Sequence, residues 1–154
     1  MNQFELLIHN EILMSAVAGW TVAQVLKTIL HLIVTKKFVA ERLVGTGGMP
    51  SSHSATVCGL ATGVCINYGT GSVEFAIAVI FAIVVMYDAL GVRREAGRQA
   101  RVLNEMMEWF DSMGKEMTAE DRLKEFVGHT PLQVLVGMFI GIGLAILICN
   151  YIII

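Results

Sequence analysis

From Glu11 to Thr35 the chain is apolar apart from a few polar positions, of which Gln24, Lys27 and His31 are the most polar within the run, and the pair Lys36 and Lys37 ends it. A run of this length crosses a hydrocarbon core of about 30 Å as a helix. A second run covers about 52–68 and a third about 72–90, separated by Tyr68-Gly69-Thr70-Gly71-Ser72. Glycine punctuation between two apolar runs predicts a tight helical hairpin. The fourth run, 131–154, opens on Pro131, which suits a first helical turn because its missing N–H has no partner there anyway. The second and third runs are short, which implies upright helices or a locally thin bilayer. Between the third and fourth runs lies the charged segment 91–128, whose Ala100, Leu103, Met107, Phe110 and Met113 fall near one helical face. That pattern predicts an amphipathic helix lying on the membrane surface. The expectation is all-α: a polytopic membrane bundle of about four transmembrane helices with one surface helix, forming a single domain over 1–154 without internal repeats.

Composition agrees with this reading. The 154 residues are 55% hydrophobic and only 16% charged, with a mean hydropathy of +0.67, too apolar for a soluble domain of this size. A formal charge of -2 argues against nucleic acid as a partner, since a phosphate-backbone binder carries a basic surplus. Cys58, Cys65 and Cys149 all sit in apolar runs without CxxC or Cys/His clustering, and are expected as small packing residues. The first ten residues lack a basic leader, so the first span is expected to be retained. Of the eleven Lys and Arg residues, all but Lys27 fall in the loops 36–49 and 91–130, which share one side of a four-span topology. The positive-inside rule makes that side cytoplasmic.

The unusual polar residues collect at the same side. GTGGMPSSHSA opens the second span, YDALGVRR closes the third and LKEFVGHTP precedes the fourth, bringing His53, Asp88, Arg93, Arg94, Lys124 and His129 to one interface. Lys27 lies about two turns from that end of the first span, on a helical face with Trp20, Gln24 and His31. An ionisable Lys at that depth must face the bundle interior and meet an anion or a carboxylate. Asp88 is one candidate carboxylate, in a purely structural pair. A Gly- and Ser-rich turn running into a helix offers backbone N–H groups and positive potential to an anion such as phosphate. His53 could donate a proton to a leaving oxygen, with His129 opposite it as nucleophile or base.

These residues resemble the divergent branch of the type 2 phosphatidic acid phosphatases, whose wider superfamily includes lipid phosphatases, bacterial acid phosphatases and vanadium haloperoxidases. The resemblance runs through AQVLK (23–27), GGMPSSHSA (47–55), YDALGVRREAGRQA (87–100), LN (103–104) and LKEFVGHTPLQV (123–134). It implies a metal-independent, cofactor-free hydrolysis of a membrane lipid phosphate or diphosphate. In that scheme Lys27 holds phosphate oxygens, Ser51 and Ser52 supply donors, His53 is the general acid, and His129 forms a phosphohistidine. The third-motif cation is Lys124 or the pair Arg93 and Arg94; the planar guanidinium fork favours the arginines. This chain departs from the superfamily in carrying Ser52 where a PSGH segment has glycine, and Gln133 where an Asp follows the nucleophilic His by four residues. Asp88, on the next helix, is the carboxylate expected to substitute. The alternative function is a non-hydrolytic lipid-phosphate binder or transporter that keeps the anion site. The expected setting is a bacterial cytoplasmic membrane with the site at the cytoplasmic face. Gly137 and Gly141 form a GxxxG pair, expected either to pack within the bundle or to form a homodimer.

Overall fold

A computed structural model describes residues 2–37, 48–113, 123 and 128–151. Its elements are helices: α1 (Gln3–Ile8), α2 (Glu11–Thr35), α3 (Ser52–Tyr68), α4 (Val73–Leu90), α5 (Val92–Ser112) and α6 (Pro131–Tyr151). Lys124, the Gly45–Gly47 part of the phosphate-loop expectation and most of 114–127 lie outside the described residues.

Local chemistry sets the helix ends. Asn10, Ser51 and Ser72 each accept a first-turn N–H of α2, α3 and α4 through their side-chain oxygens, satisfying donors that a helix start leaves open. Gly69 ends α3 at a φ of 78°, a conformation side chains with a Cβ rarely adopt.

Among the described residues, three helical stretches are long and apolar enough to cross a membrane: Glu11–Thr35, Val73–Phe110 and Pro131–Tyr151. Their outward faces are large and apolar, with Ile77, Ile80, Phe81 and Val84 of α4 all more than half exposed, as lipid-facing surfaces are. The helix α3 is 17 residues long, about 25 Å at the helical rise, and it is enclosed by α2, α4 and α6. Surrounded by protein, it carries its polar and small residues inside: Ser52, Ser54, Ala55, Gly59 and Gly63 are all buried.

Close backbone approach holds the bundle together. A Cβ at Gly19 of α2 would meet the carbonyl of Ala55 at 2.6 Å, and one at Gly59 of α3 would meet the carbonyl of Ser15 at 2.8 Å. From α6, a Cβ at Gly137 or Gly141 would collide with the α3 carbonyls of Ser51 and Ala55 respectively. The GxxxG pair of α6 is therefore used for packing inside the bundle. Without a hydrophobic force between helices in lipid, such contacts depend on close van der Waals fit.

The charged segment follows α4 directly. Only Gly91 separates α4 from α5, and the Glu95 amide donates back to its carbonyl. The inward face of α5 is Gly97, Ala100, Asn104 and Met107, with Phe110 half-buried; Ala100, Met107 and Phe110 of the expected stripe turn inward, while Leu103 is 46% and Met113 53% exposed. The reason is Asn104, whose side-chain amide pairs with both backbone groups of Leu123 at 2.9 Å and so turns that face inward.

Candidate functional site

The site is built where four chain segments meet. From α2 comes Lys27, only 3% exposed. Its ammonium donates to Gln24 Oε1 at 2.7 Å and reaches Ser52 Oγ at 3.5 Å. Burying a cation is tolerated only where such partners replace its water. Gly48 arches over the Lys27 stem at a φ of 84°, with its would-be Cβ 3.5 Å from Lys27 Cγ. Trp20, expected on the same face, points outward at 41% exposure, whereas Gln24 and Lys27 are buried as expected, in a stripe with Ser15, Ala16, Gly19 and Ala23. Beside Lys27, among the described residues, a cavity of about 340 Å³ is lined by Leu30, His31, Val34, Gly48 and Met49 together with Lys27 itself.

From α3 comes the Ser51–His53 start. Ser51 is fully buried and its hydroxyl oxygen accepts from the amide and the hydroxyl of Ser54, at 3.3 and 3.0 Å. Its own amide donates to the Gln133 carbonyl at 3.0 Å. Ser51 thus serves mainly as a cap and a tie between α3 and α6, while Ser52 faces Lys27.

His129 lies just before α6, almost entirely buried. Its amide donates to the Ala89 carbonyl of α4 at 3.1 Å, and Gly128 beside it packs so tightly on the Arg94 backbone that no Cβ would fit. The His53 and His129 rings stand with centroids 6.1 Å apart and planes at 60°. Burial holds the His129 imidazole below the ordinary histidine range; the Gln133 hydrogen bond opposes this, and the charges of Lys27 and Arg93 act with it.

From the α4–α5 junction come Asp88 and Arg93, joined by Arg93 Nε donating to Asp88 Oδ2 at 2.6 Å. Both side chains are 39% exposed, so this pair orients the guanidinium more than it adds stability. Asp88 therefore meets Arg93 rather than Lys27, and it does not take the place of the missing carboxylate at His129: the Nδ1 partner of that ring is Gln133 Oε1 at 3.1 Å. Arg94 is exposed, and it contributes its backbone to the Gly128 contact.

Two residues that the motifs include, Gln133 and Asn104, have structural roles that the motifs do not assign. Gln133 is the fourth residue of Thr130-Pro131-Leu132-Gln133, a Thr-x-x-Gln capping box that the sequence does carry. Asn104, with no charge and no histidine neighbour, gives no such signal. Replacing Asn104 by Leu should loosen the chain leading to His129, at about 0.5–1.5 kcal/mol for each of the two hydrogen bonds lost. Hydrogen exchange at the Leu123 amide checks it: faster exchange is expected, and an unchanged rate means the clamp is not formed.

Comparison with known proteins agrees with the motifs. An uncharacterized membrane protein of Bacillus subtilis (strain 168), YuiD, is 39% identical over 154 residues, covering 94% of this chain and 98% of that protein. No solved structure matches the chain. Residues 8–144 match the Divergent PAP2 family, a stretch that holds every side chain of the site and all but the ends of the bundle. This protein is an integral membrane member of the Divergent PAP2 family.

Proposed function

We propose that the protein is a metal-independent phosphatase that hydrolyses a membrane lipid phosphate or diphosphate through a phosphohistidine. The observation that carries this reading is the pair of imidazoles 6.1 Å apart beside a buried Lys. A nucleophile attacks from about 3–3.5 Å and a general acid acts over about 2.6–3.2 Å, so two rings this close can both reach one phosphoryl group, one at phosphorus and the other at the leaving oxygen. Lys27, Ser52, Arg93 and the first-turn amides of α3 would hold the non-bridging oxygens. Arg94 and Lys124 remain further candidates for the third-motif cation.

In the first step the His129 Nε2 lone pair forms a bond to phosphorus while the bond to the leaving oxygen breaks, and His53 gives that oxygen its proton. In the second, His53 takes a proton from water as the water oxygen displaces His129, releasing inorganic phosphate. The cavity beside Lys27, with apolar walls from Leu30, Val34 and Met49, suits a phosphate attached to hydrocarbon. The basic loops favour the cytoplasmic side for this face by the positive-inside rule, and the Bacillus relative favours a bacterial cytoplasmic membrane.

Purified protein should release phosphate from a panel of lipid phosphates and diphosphates. Lys27→Met should lower that rate by about 10²–10³-fold, the scale of losing one preorganised donor. If the unmodified protein is silent on every lipid, hydrolysis is given up in favour of a lipid-phosphate binder or transporter, tested by translocation in vesicles.

A further inference from the structure

The side-chain oxygen of Gln133 has two neighbours with hydrogens to give. The Thr130 amide donates to it at 3.1 Å, and His129 Nδ1 lies at 3.1 Å. A backbone N–H can only donate, so the group facing it must be the oxygen of Gln133 and not its NH₂; the amide orientation is fixed by the main chain. An amide oxygen cannot donate either, so the hydrogen between Gln133 and His129 belongs to Nδ1. A neutral imidazole protonated at Nδ1 has its lone pair on Nε2.

The same residue is locked from both sides. The Gln133 amide donates to Thr130 Oγ1 at 3.4 Å, completing the capping box. Its carbonyl accepts the Ser51 amide at 3.0 Å. It therefore ties together the starts of the two helices that present His129 and His53.

We infer that Gln133 is a positioning residue that sets His129 in the Nδ1–H tautomer, leaving Nε2 as the reactive nitrogen, and that its neutrality confines His129 to action in the uncharged form. A carboxylate at this position would stabilise the imidazolium; an amide gives direction without charge. Among the described residues, the charged and titratable groups facing the ring are His53 from α3, Lys27 from α2 and Arg93 from α5, with Asp88 of α4 held by Arg93. Cations dominate this surrounding, and Gln133 opposes them with a hydrogen bond but with no negative charge. The positioning role in hydrolysis rests on the phosphatase reading; the tautomer does not.

The test uses full-length protein in nanodiscs with ¹⁵N-labelled histidine. In the unmodified chain His129 should give a protonated Nδ1 and an unprotonated Nε2 signal. Gln133→Leu should mix the two tautomers. Gln133→Glu keeps a capping-box residue and a similar shape, so it guards against misfolding of the leucine variant. It should raise the His129 midpoint by about one pH unit or more, the scale of an opposite charge in contact. The acid limb of kcat/KM should shift upward with it. An Nε2–H tautomer in the unmodified protein, or a Gln133→Glu midpoint that does not move, overturns the inference. The expected tautomer without any phosphate release would sink the phosphatase reading and leave this one standing.

Discussion

Replacing His129 by alanine should reduce phosphate release to background, and should do so on every substrate. The ring is the only one of the two imidazoles assigned to bond phosphorus, so without it no phosphoenzyme forms. His53→Ala should be more discriminating. General acid catalysis contributes about 10²–10⁴-fold, and that loss should be large for an alkyl phosphate, whose leaving oxygen needs a proton. With a leaving group that departs as an anion, such as p-nitrophenolate, the first step should survive and the second, in which His53 activates water, should become limiting. Labelled phosphate should then accumulate on the protein as an acid-labile, alkali-stable adduct in His53→Ala and be absent from His129→Ala. Equal labelling of both variants would remove His129 from the role of nucleophile.

The second large effect concerns the fold beneath the site. Gly141→Ala adds one methyl group, yet that carbon would land on the Ala55 carbonyl and 2.8 Å from the Gly59 amide. Neither is the flexible end of a side chain, so α3 and α6 would have to part. Overpacking of side chains costs about 1–3 kcal/mol; a clash with two backbone groups should lie at the upper end or beyond. Because the Ser51–Gln133 hydrogen bond joins that same helix pair, parting the helices should also separate His53 from His129. The control is Gly143→Ala on the same helix, where a Cβ meets nothing within 4 Å and which should leave the protein unchanged. Thermal midpoints in detergent decide it: a large drop for Gly141→Ala against none for Gly143→Ala is expected, and equal midpoints would mean that α3 and α6 do not pack as described.

Periodicity and end chemistry carried the helices. The apolar runs that begin near Glu11, Ser52, Ser72 and Pro131 correspond to α2, α3, α4 and α6, whose starts lie within a residue of those positions. Asn10, Ser51 and Ser72 as caps, with glycine at the turns, made those starts local properties of the chain. The placement of His53, Asp88, Arg93 and His129 at one end of the bundle was legible for the same reason, since alternating helices return their ends to alternate faces. Partnership was not legible. Asp88 could have reached Lys27, His129 or Arg93, and the choice depends on distances between helices that no single segment encodes. Likewise the GxxxG pair of α6 fits a neighbouring molecule as well as a neighbouring helix until α3 is seen lying against it. On α5 the expected stripe holds at Ala100, Met107 and Phe110 but not at Leu103, because a single amide, Asn104, finds two backbone groups 19 residues away and turns its own position inward. What the chain determined alone is the set of helices and the end at which its chemistry gathers, because both follow from short-range periodicity and burial in lipid. Which imidazole meets which partner was decided by tertiary packing, because a hydrogen bond is made or lost over less than an ångström.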